Sequence, residues 1–343
     1  MWFFFTLTIK NMGLFSKDSL QIIVFQSYGT ENKFFIRGRA LEDEKINLQS
    51  RNILKLLINS WKRFESDEIK NTELTVTLPN NLKIKTITDN HGYFKIAKNI
   101  ENLHKLVNSE GWLYFEISFS NSNFRRRINN SNKFKGELLI PPKTSDFGII
   151  SDIDDTILHT GVISKLKWKV LFNTFFKSPY KRKALEGTSI FYHKLHRGTT
   201  GKKSNPLFYV SHSPWNLYRY LEIFLNENKF PKGAILLRSF ADIFNMQKEK
   251  PEKQREILEI FSTYPDMSFI LIGDAGEHDI DIYMEITKMY PEKVKAIYLR
   301  SVKNAKKTSR IKELTKNYKD TSFLLVDNTQ EAIAHAKKFN FIQ

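Results

Sequence analysis

The sequence predicts an α/β domain with a largely parallel sheet, preceded by a small β-sandwich, and three observations lead there. Short aromatic or β-branched runs separated by turn residues fill the chain to about residue 140. After Pro141-Pro142 apolar strand-like runs alternate with longer helical stretches, the pattern of a sheet covered by crossover helices. Three of those later runs end in Asp- or Ser-rich turns, and ligands of open α/β sheets gather at the carboxyl ends of strands.

Taken in order, the first region offers "QIIVFQSYG", "KFFIRGRAL", "ELTVTL", "LKIKTIT", "GYFKIA" and "WLYFEISFS" as strands. Pro79-Asn80-Asn81 and Asp89-Asn90-His91-Gly92 supply turns between them. Ile53 to Phe64 reads as a helix. Beyond residues 141 to 146 the strands are "FGIIS", "LFYVS", "FILIG", "KAIYL" and "FLLV", with helices over Trp215 to Asn226 and Glu252 to Phe261. The expected division is residues 1–19 as a leading segment, 20–142 as the sandwich and 143–343 as the α/β domain. "MWFFFTLTIKNMG" is too short for a membrane helix and lacks the features of a signal peptide. It reads as disordered, as a weak interfacial anchor, or as an over-extended start upstream of Met12.

The chain of 343 residues has a formal charge of +17, which favours nucleic acid, anionic membrane or phosphate-bearing partners. With no cysteine, disulfides, thiolate metal sites and cysteine nucleophiles are excluded, and a reducing compartment fits.

The chemistry concentrates at three strand ends. "FGIIS" runs into Asp152-Ile153-Asp154-Asp155-Thr156, "LFYVS" into Ser211-His212-Ser213-Pro214, and "FILIG" into Asp274-Ala275-Gly276-Glu277-His278-Asp279. Like charges this close repel unless something positive sits among them. Carboxylates without thiolates or clustered histidines suit a hard cation, Mg²⁺ above all. Asp152 and Asp154 share a face of an extended strand. A carboxylate can attack phosphorus, and a second can protonate the leaving group and later activate water. Ser213-Pro214 reads as a helix N-cap and N1 proline, placing a phosphate seat beside Ser211. An EF-hand is excluded because its glycine and terminal glutamate are missing. "RGTTGKKS", residues 197–204, is a loop: His196 stands where a P-loop needs glycine.

D-x-D-x-T after an apolar strand resembles the signature of the haloacid dehalogenase (HAD) superfamily of phosphohydrolases. "SDIDDTI", "FYVSHSPWNLY", "FPKGAILLRSF" and "FILIGDAGEHDIDIY" are more specifically similar to the catalytic domain of phosphatidate phosphatases of the actin-patch-protein type. Upstream, "YGTENKFFIRGRALED" and "TITDNHGYFKI" are similar to the strand domain preceding it in bacterial members. The resemblance implies a HAD-like, Rossmannoid catalytic domain. Asp152 is then nucleophile and Mg²⁺ ligand, and Asp154 the general acid/base whose carbonyl also reaches the metal. Ser211 and Thr156 bind phosphoryl oxygens, and Asp274 completes the metal site with Asp279 in support. The family's phosphate-binding lysine stands four residues before an isoleucine and twelve before a proline. Lys253 fits that spacing to Ile257 and Pro265, with Glu252 in place of the usual histidine and Lys248 and Lys250 nearby.

Two basic segments remain. In residues 164–183, Trp168, Leu171, Phe172, Phe175 and Phe176 form one helical face among seven lysines and arginines. Such a helix can lie on an anionic bilayer or pack its aromatic face on the core. "FRRRINNSNKFK", residues 124–135, reads as a solvated hairpin loop.

The expected function is Mg²⁺-dependent hydrolysis of phosphatidate to diacylglycerol through an aspartyl-phosphate, at an anionic membrane surface on the cytoplasmic side. The lipid is implied by the resemblance. Nucleic acid is not the expected partner, no transmembrane segment is expected, and the oligomeric state is open. The alternatives are a non-catalytic phospholipid sensor, which has no use for the Asp154 acid, and a phosphatase of soluble or nucleic-acid phosphates.

Overall fold

The computed structural model describes residues 19–43, 68–121, 124, 126–153, 187–238, 252–275, 279–301, 305–315 and 321–343. Residues 1–18 of the leading segment, Ile53 to Phe64 and the basic stretch 164–183 lie outside them, and Ser19, counted with the leading segment, opens the first strand. Eight strands come first: β1 (Ser19–Phe25), β2 (Ser27–Tyr28), β3 (Lys33–Asp43), β4 (Glu73–Thr77), β5 (Lys83–Ile87), β6 (Tyr93–Asn99), β7 (Trp112–Phe119) and β8 (Phe134–Leu139). They form a three-stranded sheet, β1-β3-β6, and a five-stranded sheet, β2-β8-β7-β4-β5. Strand alternation sends Leu20, Ile22, Phe34 and Ile36 from one sheet, and Leu74, Val76, Leu113 and Ile117 from the other, into a common core.

The second region has six strands: β9 (Gly148–Asp152), β10 (Leu207–Pro214), β11 (Ala234–Arg238), β12 (Phe269–Asp274), β13 (Val294–Arg300) and β14 (Ser322–Val326). All pairs in the sheet are parallel, in the order β11-β10-β9-β12-β13-β14. The chain moves outward from β9 in one direction and resumes at β12 in the other. The switch of direction therefore falls between β9 and β12, where open α/β sheets form a ligand crevice. One face buries residues of α1 (Thr188–Arg197), α2 (Tyr218–Glu227) and α6 (Thr329–Lys338). The other buries residues of α3 (Glu252–Thr263), α4 (Asp279–Met289) and α5 (Ala305–Thr315). Strands buried on both faces explain why "FILIG" and its companions read as unbroken apolar runs.

The quoted strands appear where expected, and residues 198–206 connect α1 to β10 as a loop. One basic run is corrected in part: Phe134 and Lys135, read as hairpin loop, open β8. That strand is hard to read because Gly136 interrupts it. The glycine is required, since a Cβ there would lie 2.2 Å from the Phe115 ring on β7. Among the described residues no helix is long and apolar enough to cross a membrane.

Candidate active site

Asp152 ends β9 and Asp274 ends β12, so the two sides of the switch point each finish in a carboxylate. On the other neighbour, β10, Val210 pairs with Asp152, which puts Ser211 one residue beyond it at the same sheet edge. The Ser211 hydroxyl accepts a 2.9 Å hydrogen bond from the Ser213 amide. This overturns the N-cap reading of Ser213-Pro214. The strand continues to Pro214, a 3₁₀ turn spans Trp215–Leu217, and α2 begins at Tyr218. Proline biases the residue before it toward extended backbone, so Ser213 prolongs the strand instead of opening a helix.

Lys253, in the first turn of α3, reaches into this sheet edge. Its ammonium donates to Asp152 Oδ1 at 2.6 Å and to Asp279 Oδ1 at 2.5 Å. Asp152, Lys253 and Asp279 are 0%, 2% and 1% exposed, so this is a buried charge cluster. Burial alone pushes the ammonium toward neutrality. The carboxylates of Asp152 and Asp279 outweigh it and hold the lysine well above its ordinary value, a permanent cation.

Asp279, the first residue of α4, holds two partners at once. While Oδ1 takes Lys253, its Oδ2 accepts from the Asp274 amide at 3.2 Å and fixes the end of β12. That approach depends on Gly273. A Cβ there would sit 2.5 Å from Asp279 Oδ2 and 2.8 Å from Tyr283 Cε2. Tyr283 in turn donates its hydroxyl to the Ile272 carbonyl at 3.0 Å. Behind Asp152, the Ser151 hydroxyl donates to the Asp152 carbonyl at 2.8 Å and shares a 2.6 Å hydrogen bond with the Tyr192 hydroxyl.

Of the residues singled out in the sequence, the structure brings Asp152, Ser211, Lys253, Asp274 and Asp279 to one sheet edge. Asp154, Thr156, Lys248 and Lys250 lie outside the described residues. Tyr283, Tyr192 and Ser151 were not anticipated. Gly273, directly before Asp274, was the one available signal that something presses on that strand end. The donor set fits a hard divalent cation: Asp152 and Asp274 offer carboxylate oxygens on adjacent strands. Among the described residues no three such ligands cluster, and Asp154, the third expected, is outside them.

Residues 147–301 match the family described as "Phosphatidate phosphatase APP1, catalytic domain". The chain is 34% identical over 161 residues to Phosphatidate phosphatase APP1 of Saccharomyces cerevisiae, an alignment covering 46% of this chain and 26% of the yeast protein. It is 31% identical over 157 residues to Uncharacterized protein C29B5.04c of Schizosaccharomyces pombe, covering 45% and 25%. The matched stretch thus spans about a quarter of the length of each relative.

Proposed function

We propose that this chain, whose residues 147–301 match the catalytic domain of the APP1-type phosphatidate phosphatases, is a Mg²⁺-dependent phosphoric monoester hydrolase acting on phosphatidate. Its HAD-like catalytic domain spans 143–343, behind a sandwich domain spanning 20–142. One observation carries the chemistry: a buried lysine cation bridges two carboxylates at the topological switch point of a parallel sheet. Lys253 donates to Asp152, the carboxylate that serves as nucleophile, and offers positive charge where a phosphoryl group would arrive.

A carboxylate oxygen of Asp152 attacks phosphorus as the ester P–O bond breaks, and the leaving oxygen takes a proton from Asp154. Water then attacks the aspartyl-phosphate and gives its proton to Asp154, so inorganic phosphate leaves and the Asp152 carboxylate is restored. Ser211, Thr156 and Lys253 hold the phosphoryl oxygens, and Asp279 orients Lys253. Asp152, Asp154 and Asp274 would hold Mg²⁺, which when bound neutralises charge on the transferred group. The lipid substrate is supported by the name of the yeast relative and by the +17 charge, which suits an anionic surface on the cytoplasmic side.

The test is phosphate release from phosphatidate in mixed micelles and from soluble phosphomonoesters, with and without Mg²⁺. Metal-dependent release that rises with lipid surface supports the reading. Release from soluble esters alone removes the lipid, and vesicle binding without any release turns the chain into a sensor.

A further inference from the structure

The strand-rich region touches the two elements that deliver Ser211 and Lys253, and one side chain, Arg37, meets both. Phe25 and Arg37 are register partners on β1 and β3. Phe25 stacks on Trp215 with centroids 4.2 Å apart, and the Arg37 guanidinium carbon lies 4.2 Å from the same indole centroid. Trp215 opens the turn four residues after Ser211. Arg37 Nη1 also lies 3.8 Å from Glu256 Oε1, and Glu256 stands on α3 one turn after Lys253. The next residue of the strand region, Gln26, donates its amide to the Tyr218 hydroxyl at 3.0 Å.

The far end of α3 is held from the same side. Tyr264 donates its hydroxyl to the Gly29 carbonyl at 2.8 Å, and Tyr28 packs edge-on against Phe208 of β10 at 5.5 Å. Helix α3 is therefore fixed near Lys253 by Arg37 and just beyond its C-terminus by Tyr28-Gly29. Guanidinium, unlike ammonium, is planar and can stack on an indole while its edge faces a carboxylate.

We infer that Arg37 is a positioning residue for the active site, joining the Ser211 turn through Trp215 to the Lys253 helix through Glu256. The strand region is thus part of the catalytic apparatus and not an appended binding module. This inference rests on the phosphohydrolase reading for its kinetic consequence, although the clamp itself does not.

The experiment compares the full chain carrying Arg37→Ala, Arg37→Lys or Glu256→Gln with a control, Lys95→Ala. The control removes a charge from the same sheet, where Lys95 lies 5.1 Å from the Phe35 centroid. Arg37→Ala is expected to lower kcat by about ten- to a hundredfold, the penalty for small misplacements of reacting groups. The fall should be equal for phosphatidate and a soluble ester, with little change in KM. Arg37→Lys should not rescue it, Glu256→Gln should lose part of it, and Lys95→Ala should match the parent. Amide exchange gives a readout independent of turnover: Arg37→Ala should speed exchange in both Leu207–Pro214 and Glu252–Thr263 while Val294–Arg300 stays protected. Unchanged exchange in those two segments, or a loss confined to the lipid substrate, would overturn the inference. A parent chain that releases no phosphate while the exchange pattern holds would sink the proposed function and leave the clamp standing.

Discussion

Lys253 donates to Asp152 and Asp279 at once, at 2.6 and 2.5 Å, from a position that water does not reach. A cation so placed satisfies two buried carboxylates, and neither tolerates its loss. Lys253→Met should abolish turnover and destabilise the fold by about 3–5 kcal/mol, because removing one partner leaves uncompensated buried charge. Urea titration beside phosphate release checks both. Lys253→Met with parental stability would contradict the buried-pair geometry.

Gly273 makes a sharper case because it bears no functional group. Adding one methyl at this position drives it into Asp279 Oδ2 and the Tyr283 ring. Gly273→Ala should therefore cost activity through displacement of Asp279, with a fold loss of roughly 1–3 kcal/mol from overpacking. A fully active Gly273→Ala chain would show that Asp279 is not needed where it stands.

The two regions are also joined by Glu110, which accepts from His196 Nε2 and Arg197 Nη1, each at 2.9 Å. Partial burial pushes the Glu110 carboxyl up, but the hydrogen bonds from Arg197 and His196 prevail and hold it below its ordinary value of 4.5. A carboxyl depressed on folding stabilises above its unfolded value, and that stabilisation is lost as pH falls through the folded value. Glu110→Gln should lower Tm at pH 7 and converge with the parent in strong acid. The effect is expected to be small, on the order of 1 kcal/mol or less, because the Glu110 and Arg197 side chains remain 34% and 42% exposed to screening solvent. Equal Tm values at both pH extremes would remove the latch.

Tyr264→Phe deletes only the hydroxyl that meets the Gly29 carbonyl. With that buried acceptor left unpaired, denaturant titration should register a loss of about 1–3 kcal/mol.

The fold was legible where burial writes a simple pattern. Parallel strands covered on both faces give unbroken apolar runs, and the alternation of the first region gives its strands. β8 escaped because its central residue, Gly136, was chosen to admit the Phe115 ring and not to favour extended backbone. At the site, Asp152 and Asp274 were legible because each ends a strand, and Ser211 because it closes an apolar run, although β10 continues to Pro214. Lys253 came through the family resemblance, by its spacing to Ile257 and Pro265. What the sequence could not supply was contact across distance: the two hydrogen bonds that Asp279 accepts, from Lys253 and from the Asp274 amide, or the meeting of Arg37 with Trp215 and Glu256. The Ser213-Pro214 misreading arose because a proline that ends a strand and one that starts a helix leave the same local signature.

The central claim is that Asp152 attacks phosphorus. The most direct test is a single turnover with excess enzyme, quenched in acid and digested, in which the peptide carrying Asp152 is weighed. A phosphoryl adduct on that peptide, labile to hydroxylamine and absent from Asp152→Asn, is the predicted result. Phosphate release with no adduct at any time, together with full turnover by Asp152→Asn, would contradict it.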